Sequence, residues 1–169
     1  MSTIKTMTID GYYTNEEAKR LSTVVQNLNF FKSEFGKEIE NFNMVPEDAD
    51  KLFSSVLNKK VEVIKEKSGV FRIPELFVHF ESFESLDEWL FVVALEPATF
   101  NIFEHQSGAK SALDGYNFKY RNLFEWDLTV NHLLAPGQGV FFRPWLFHTF
   151  DHGVIQTFRL KEWRTPDTQ

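Results

Sequence analysis

The chain has 169 residues, enough for one domain and too few for two ordinary ones. Hydrophobic residues make up 43% and 19 residues are Phe, so a core of large flat side chains can be buried, which suits packed sheets better than a slim helical bundle. A net charge of -6 argues against a general nucleic-acid binder, and the lack of cysteine excludes disulfides, zinc–thiolate sites and thiol nucleophiles, leaving His and carboxylates to hold any metal.

The opening Met1-Ser2-Thr3-Ile4-Lys5 has no apolar signal core, and no stretch is long enough to cross a membrane, so a cytoplasmic protein is the default expectation. Thr14-Asn15-Glu16-Glu17 reads as a capping box, with Thr14 at the N-cap and Glu17 reaching back. Ala18, Leu21, Val24, Val25 and Leu28 follow at helical spacing. A second helix is expected from Pro46, whose missing N–H costs nothing in a first turn. Ala49, Leu52, Phe53, Val56 and Leu57 form its stripe, and Asn58 with Lys59-Lys60 suits its end.

Near residue 61 the period changes. Val61 to Ile64 alternates apolar and polar, as a half-buried strand does. Leu76–Phe80 and Trp89–Leu95 are short apolar runs, expected as strands covered on both faces. Ala98–Glu104, Trp126–Leu134, Gly139–Phe142 and Val154–Leu160 complete the predicted strands, with turns at Glu96-Pro97, Pro136-Gly137 and His152-Gly153. Short strands with turns between them point to a sandwich or barrel. The division is therefore a helical part of about 8–60 and a barrel of about 61–163, in one domain over 1–169. Residues 106–125, with Gly108, Gly115, Asn117 and scattered aromatics, resist the strand pattern and read equally as a lid or as a surface excursion.

The segment most suggestive of chemistry runs from Pro136 to Phe150: a Pro-Gly turn, the strand Gly139–Phe142, a break at Pro144, and His148 inside an apolar run. Ten residues separate His148 from Arg159. Upstream, His79-Phe80-Glu81 is a His-x-Glu pair whose two side chains share one face of a strand. On the last strand Ile155, Thr157 and Arg159 share one face, and Val154, Gln156, Phe158 and Leu160 the other. The second face suits packing against helices, so the first is expected to look inward.

These features, with the opening Thr8 to Ala18, resemble the Fe(II)- and 2-oxoglutarate-dependent oxygenases of the cupin-like double-stranded β-helix superfamily. The resemblance covers nearly the whole chain, loosely. It implies a mainly β, jelly-roll fold with the N-terminal helices packed on its outside. It implies that His79, Glu81 and His148 hold Fe(II), and that Arg159, with Thr157 on the same face, receives the distal carboxylate of 2-oxoglutarate. A guanidinium suits that task because its fork fixes a carboxylate in one orientation. The sequence departs from the family's usual His-x-Asp, since Glu81 is one methylene longer.

Each residue also has a plainer reading. His79 and Glu81 could be a structural pair, His148 a core histidine bonded to a carbonyl, and Arg159 the partner of an acidic residue. His105 and His132 read as rim or surface residues, with other ligand geometry as the alternative. Arg143 and Trp145 read as packing more than as a pocket mouth. No phosphate-cradling glycine loop or Gly-x-Ser-x-Gly elbow occurs. The expected function is hydroxylation of a small molecule or peptide. The alternatives are a metal-binding cupin without 2-oxoglutarate and a non-catalytic binding barrel. A homodimer remains open.

Overall fold

The computed structural model describes residues 6–26, 31–33, 36–38, 48–72, 78–114, 125–151 and 153–163. Helix α1 (Asn15–Gln26) begins where the capping box predicts. The Thr14 N–H donates to Glu17 Oε1 at 3.0 Å and the Glu17 N–H donates to Thr14 Oγ1 at 3.1 Å. Its buried face is narrower than the sequence pattern: Ala18 and Ser22 are buried, Leu21 is half-buried, and Val24 is exposed. Ser22 takes the place of an apolar neighbour by donating to Glu96 Oε2 at 3.1 Å. The predicted Leu28 lies outside the described residues.

Helix α2 (Ala49–Leu57) buries Ala49 and Phe53, while Leu52, expected in the stripe, is 43% exposed. The stripe is centred on the 49–53 spacing, and Leu52 falls at its edge. Asn58 ends the helix at φ 54°, and the Lys59 N–H closes on the Ser54 carbonyl at 3.1 Å. The predicted start at Pro46 lies outside the described residues.

Among the described residues ten strands form two antiparallel sheets. They are β1 (Met7–Ile9), β2 (Phe31–Ser33), β3 (Gly36–Glu38), β4 (Val61–Arg72), β5 (Glu88–Ala94), β6 (Ala98–His105), β7 (Trp126–Leu134), β8 (Gly139–Phe142), β9 (His148–Asp151) and β10 (Val154–Glu162). The larger sheet has the order β1-β8-β5-β10-β4-β3-β2, and the smaller β7-β6-β9. The run Val61–Ile64 is only the first third of β4. Between β4 and β10 the register shifts: Arg159 lies opposite Ile64, but Thr157 lies opposite Gly69. Ser68 repairs the gap, its hydroxyl accepting from the Arg159 N–H at 3.2 Å and donating to the Ile64 carbonyl at 3.0 Å.

Strand alternation separates the two largest parts of the core. Between the sheets, Leu90, Val92, Ala94, Val140, Phe142 and Ile155 of the large sheet meet Ala98, Phe100, Ile102, Leu134 and Phe150. On the outer face of the large sheet, Trp89, Phe91, Val93, Phe141, Phe158 and Leu160 pack against Ala49 and Phe53 of α2. Phe53 sits 5.1 Å from the Phe91 ring and 5.4 Å from that of Phe158. Burial of each such side chain stabilises by about 1.5–3 kcal/mol. Leu21 of α1 meets Val70, Leu95 and Val154 on the same outer side. Both helices therefore lie where the apolar face of β10 predicted them. Every residue of β5 is buried, Glu88 included, and the apolar run that follows Glu88 is covered on both faces as expected.

Two glycines are fixed by close approach. A Cβ on Gly137 (φ 94°) would collide with the Tyr13 carbonyl oxygen, and one on Gly139 with the Phe91 ring. No helix among the described residues is long and apolar enough to cross a membrane.

Candidate metal centre

His148 opens β9, the run Leu146–Phe150 having been expected only as apolar chain. It pairs with Ile102 of β6 on one side and with His79 on the other. The His148 N–H donates to the His79 carbonyl at 2.9 Å, and the His79 N–H donates back at 3.2 Å. His79 is thereby fixed beside His148 by an isolated bridge, not within the strand expected over Leu76–Phe80, of which 76 and 77 lie outside the described residues, and Glu81 is brought to the same cluster. The Glu81 N–H is tied to the Pro144 carbonyl at 2.8 Å, while Phe80 points away and packs on Phe147.

The result is a three-residue cluster. Ligand atoms of His79, Glu81 and His148 all lie within 4.8 Å of one another, and His79 Nε2 is 3.9 Å from Glu81 Oε1. His148 is 1% exposed, with the rings of Phe100, Phe142 and Phe150 around it. Its Nδ1 lies 2.7 Å from the Leu146 carbonyl. A carbonyl only accepts, so Nδ1 carries the proton and the Nε2 lone pair is left for a ligand. Burial holds His148 well below the ordinary imidazole pKa; charge at His79 and Arg159 acts in the same direction, against the Leu146 carbonyl. A neutral imidazole of fixed tautomer is the form that binds a metal. Two imidazoles and one carboxylate suit a divalent transition metal such as Fe(II).

Arg159 turns inward with Ile155, as the alternation predicts, and is 7% exposed. It is not a bare cation. Nη1 donates to Glu88 Oε1 at 2.9 Å and to the Ser82 carbonyl at 2.7 Å. Nε is buried and has no hydrogen-bond partner among the described residues. Burial raises the Glu88 carboxyl pKa, but the Ser85 amide, the Arg159 guanidinium and the Glu84 amide outweigh it and hold the group below its usual value. Thr157 directs its hydroxyl to the Gly69 carbonyl at 3.3 Å.

Glu88 was missed in the sequence. Its signal was the parity of β5: 88, 90, 92 and 94 share a face, so an inward Arg159 had an inward carboxylate two residues before Leu90. His105 is a buried residue bridging Ser107 (2.8 Å) and Glu125 (3.2 Å), and His132 is exposed; neither joins the cluster. His152 lies outside the described residues. Arg143 stacks 3.5 Å over the Trp89 ring and donates to the Glu88 carbonyl, a packing role. The start of the 106–125 excursion is tied to the segment that leads into His148, Ser111 bridging Leu146 and the Ala112 N–H donating to the Trp145 carbonyl at 2.9 Å. Its aromatics, Tyr116 to Phe124, lie outside the described residues.

No family model matches the chain, and no curated protein matches it by sequence. Solved structures do share its fold. SnoN, a non-heme alpha-ketoglutarate-dependent epimerase from nogalamycin biosynthesis, superposes with a TM-score of 0.61 at 11% identity, over 94% of this chain and 79% of that one. HygX from Streptomyces hygroscopicus, in its structure with nickel and 2-oxoglutarate bound, superposes with a TM-score of 0.55 at 11% identity, over 99% and 90%. Its structure with nickel, 2-oxoglutarate and hygromycin B gives 0.57 at 12%, over 99% and 89%. The chain thus has a mainly antiparallel, cupin-like β fold.

Proposed function

We propose that this chain is a single-domain, double-stranded β-helix enzyme that uses Fe(II) and 2-oxoglutarate to oxidise a small-molecule or peptide substrate. The observation that carries the reading is the convergence of His79, Glu81 and His148, with ligand atoms within 4.8 Å. Two further facts support it. HygX, of the same fold, holds nickel and 2-oxoglutarate. The orphaned buried Nε of Arg159 offers a donor to an anion.

In this reading His79, Glu81 and His148 hold the metal, which supplies dioxygen activation coupled to oxidative decarboxylation of the co-substrate. The protein supplies the rest. The Leu146 carbonyl fixes the His148 tautomer. Phe100, Phe142 and Phe150 keep water from that side. Arg159 receives the co-substrate's distal carboxylate. Thr157 joins it only by turning its hydroxyl away from Gly69.

The test is release of succinate from 2-oxoglutarate by protein loaded anaerobically with Fe(II) and then exposed to air. Arg159→Ala should weaken 2-oxoglutarate binding more than metal binding. One observation favours a second reading, a metal enzyme without 2-oxoglutarate: Glu88 already provides Arg159 with a carboxylate. Metal binding without any 2-oxoglutarate binding would select it.

A further inference from the structure

The Arg159–Glu88 pair is built asymmetrically. A guanidinium offers one fork through Nη1 and Nη2 and another through Nε and Nη2. Nη1 is used twice, by Glu88 and the Ser82 carbonyl. Nε, on the other fork, is buried and unpartnered among the described residues.

Glu88 is itself held firmly. It is 1% exposed, and its Oε2 accepts the amide of Ser85 at 2.9 Å and that of Glu84 at 2.5 Å, leaving Oε1 for Arg159. The turn from Ser82 to Glu88 thus directs a backbone carbonyl and an anchored carboxylate at one nitrogen of Arg159. A pair serving stability alone gains little from burial and has no use for an orphaned donor. One serving a ligand needs the guanidinium aimed and one edge open.

We infer that Glu88 is a positioning residue that tunes co-substrate binding: it aims Arg159 through Nη1 and cancels much of its charge. The site then holds the distal carboxylate of a 2-oxo diacid weakly, and distinguishes it little from an uncharged chain end. This rests on the 2-oxoglutarate reading above.

Calorimetry on the full chain loaded with Mn(II) tests it, with 2-oxoglutarate and 2-oxopentanoate, which has the same carbon chain without the distal carboxylate. Glu88→Gln keeps the shape of the side chain and removes its charge, its single oxygen serving either Nη1 or the Glu84 and Ser85 amides. The variant is expected to bind 2-oxoglutarate about ten- to a hundredfold more tightly than wild type, with 2-oxopentanoate unchanged. A merely structural defect does not produce a gain for one ligand alone. Equal 2-oxoglutarate affinity in the two proteins would overturn the inference and leave the oxygenase reading standing. If neither protein binds 2-oxoglutarate while both bind Mn(II), the reading falls and the inference with it. Should Glu88→Gln not fold, wild type decides: a preference for the diacid of about tenfold or less supports the inference, and a larger one overturns it.

Discussion

His79 and His148 are joined twice through their backbones, at 2.9 and 3.2 Å, and their rings stand 4.5 Å apart. A short antiparallel bridge therefore sets the spacing of the two imidazoles before any ion is bound. Glu81, two residues on, is held beside them with its N–H on the Pro144 carbonyl at 2.8 Å.

Removing a donor from this cluster should abolish its hold on a metal. His148→Ala and Glu81→Gln are each expected to raise the Kd for Mn(II) by more than the roughly 10- to 100-fold that a lost outer-shell partner costs. Titration followed by electron paramagnetic resonance measures this directly. Wild-type affinity in both variants would remove the cluster as the metal centre.

The Arg159–Glu88 pair makes a stability prediction independent of any ligand. Arg159→Met leaves Glu88 buried with its partner gone, at a cost of about 3–5 kcal/mol. Arg159→Met combined with Glu88→Leu should recover part of the loss, because no charge then remains buried while the Glu84 and Ser85 amides lose their acceptor. Urea unfolding of the two single variants and the double variant gives the coupling energy; additive losses would show that the charges do not depend on each other.

Gly139 lies under the Phe91 ring, which is enclosed by Phe53, Phe141 and Phe158. The ring has no free direction in which to give way, so Gly139→Ala should destabilise by at least the roughly 1–3 kcal/mol of an overpacked core. A shift of the urea midpoint by less than the experimental error would mean that the contact relaxes freely.

Acidification should weaken the metal-free protein in two stages. The folded pKa of His148 lies below its ordinary 6.5, so below about pH 6.5 the unfolded chain takes up a proton that the folded chain refuses, and stability falls by up to about 1.4 kcal/mol per pH unit. Glu88 acts lower: its folded pKa lies below 4.5, so its contribution is present above that pH and is lost as pH falls further. Unfolding free energies from pH 7.5 to 5.5 isolate the first stage, which His148→Gln should flatten. A wild-type slope that survives this substitution would assign the proton elsewhere.

The strands were legible wherever alternation was strict. Val154 to Leu160 has one apolar face and one mixed face, and the structure sends them to the helices and to the space between the sheets. Strand β9 was not separable from its surroundings, because Leu146 to Phe150 is apolar on both sides of His148 and has no period. Leu52 and Val24 show the limit of helical spacing, which marks a face but not how much of it the sheet covers. His-x-Glu was legible as a same-face pair; its meeting with His148 depends on a bridge between segments 69 residues apart, which local pattern does not carry. Glu88 was hidden for the opposite reason, at the head of a strand otherwise apolar, where a charge reads as the strand's edge.

The shifted register between β4 and β10 bears on how firmly Arg159 is held. Its amide donates to the Ser68 hydroxyl at 3.2 Å, a side-chain partner within a strand ladder. A hydroxyl rotor lets go more readily than a ladder carbonyl, so this amide should exchange its hydrogen with solvent sooner than those of Phe158 and Leu160 on either side. The large sheet thus has a soft crease at Arg159, where the chain can open locally without disturbing the strands that flank it.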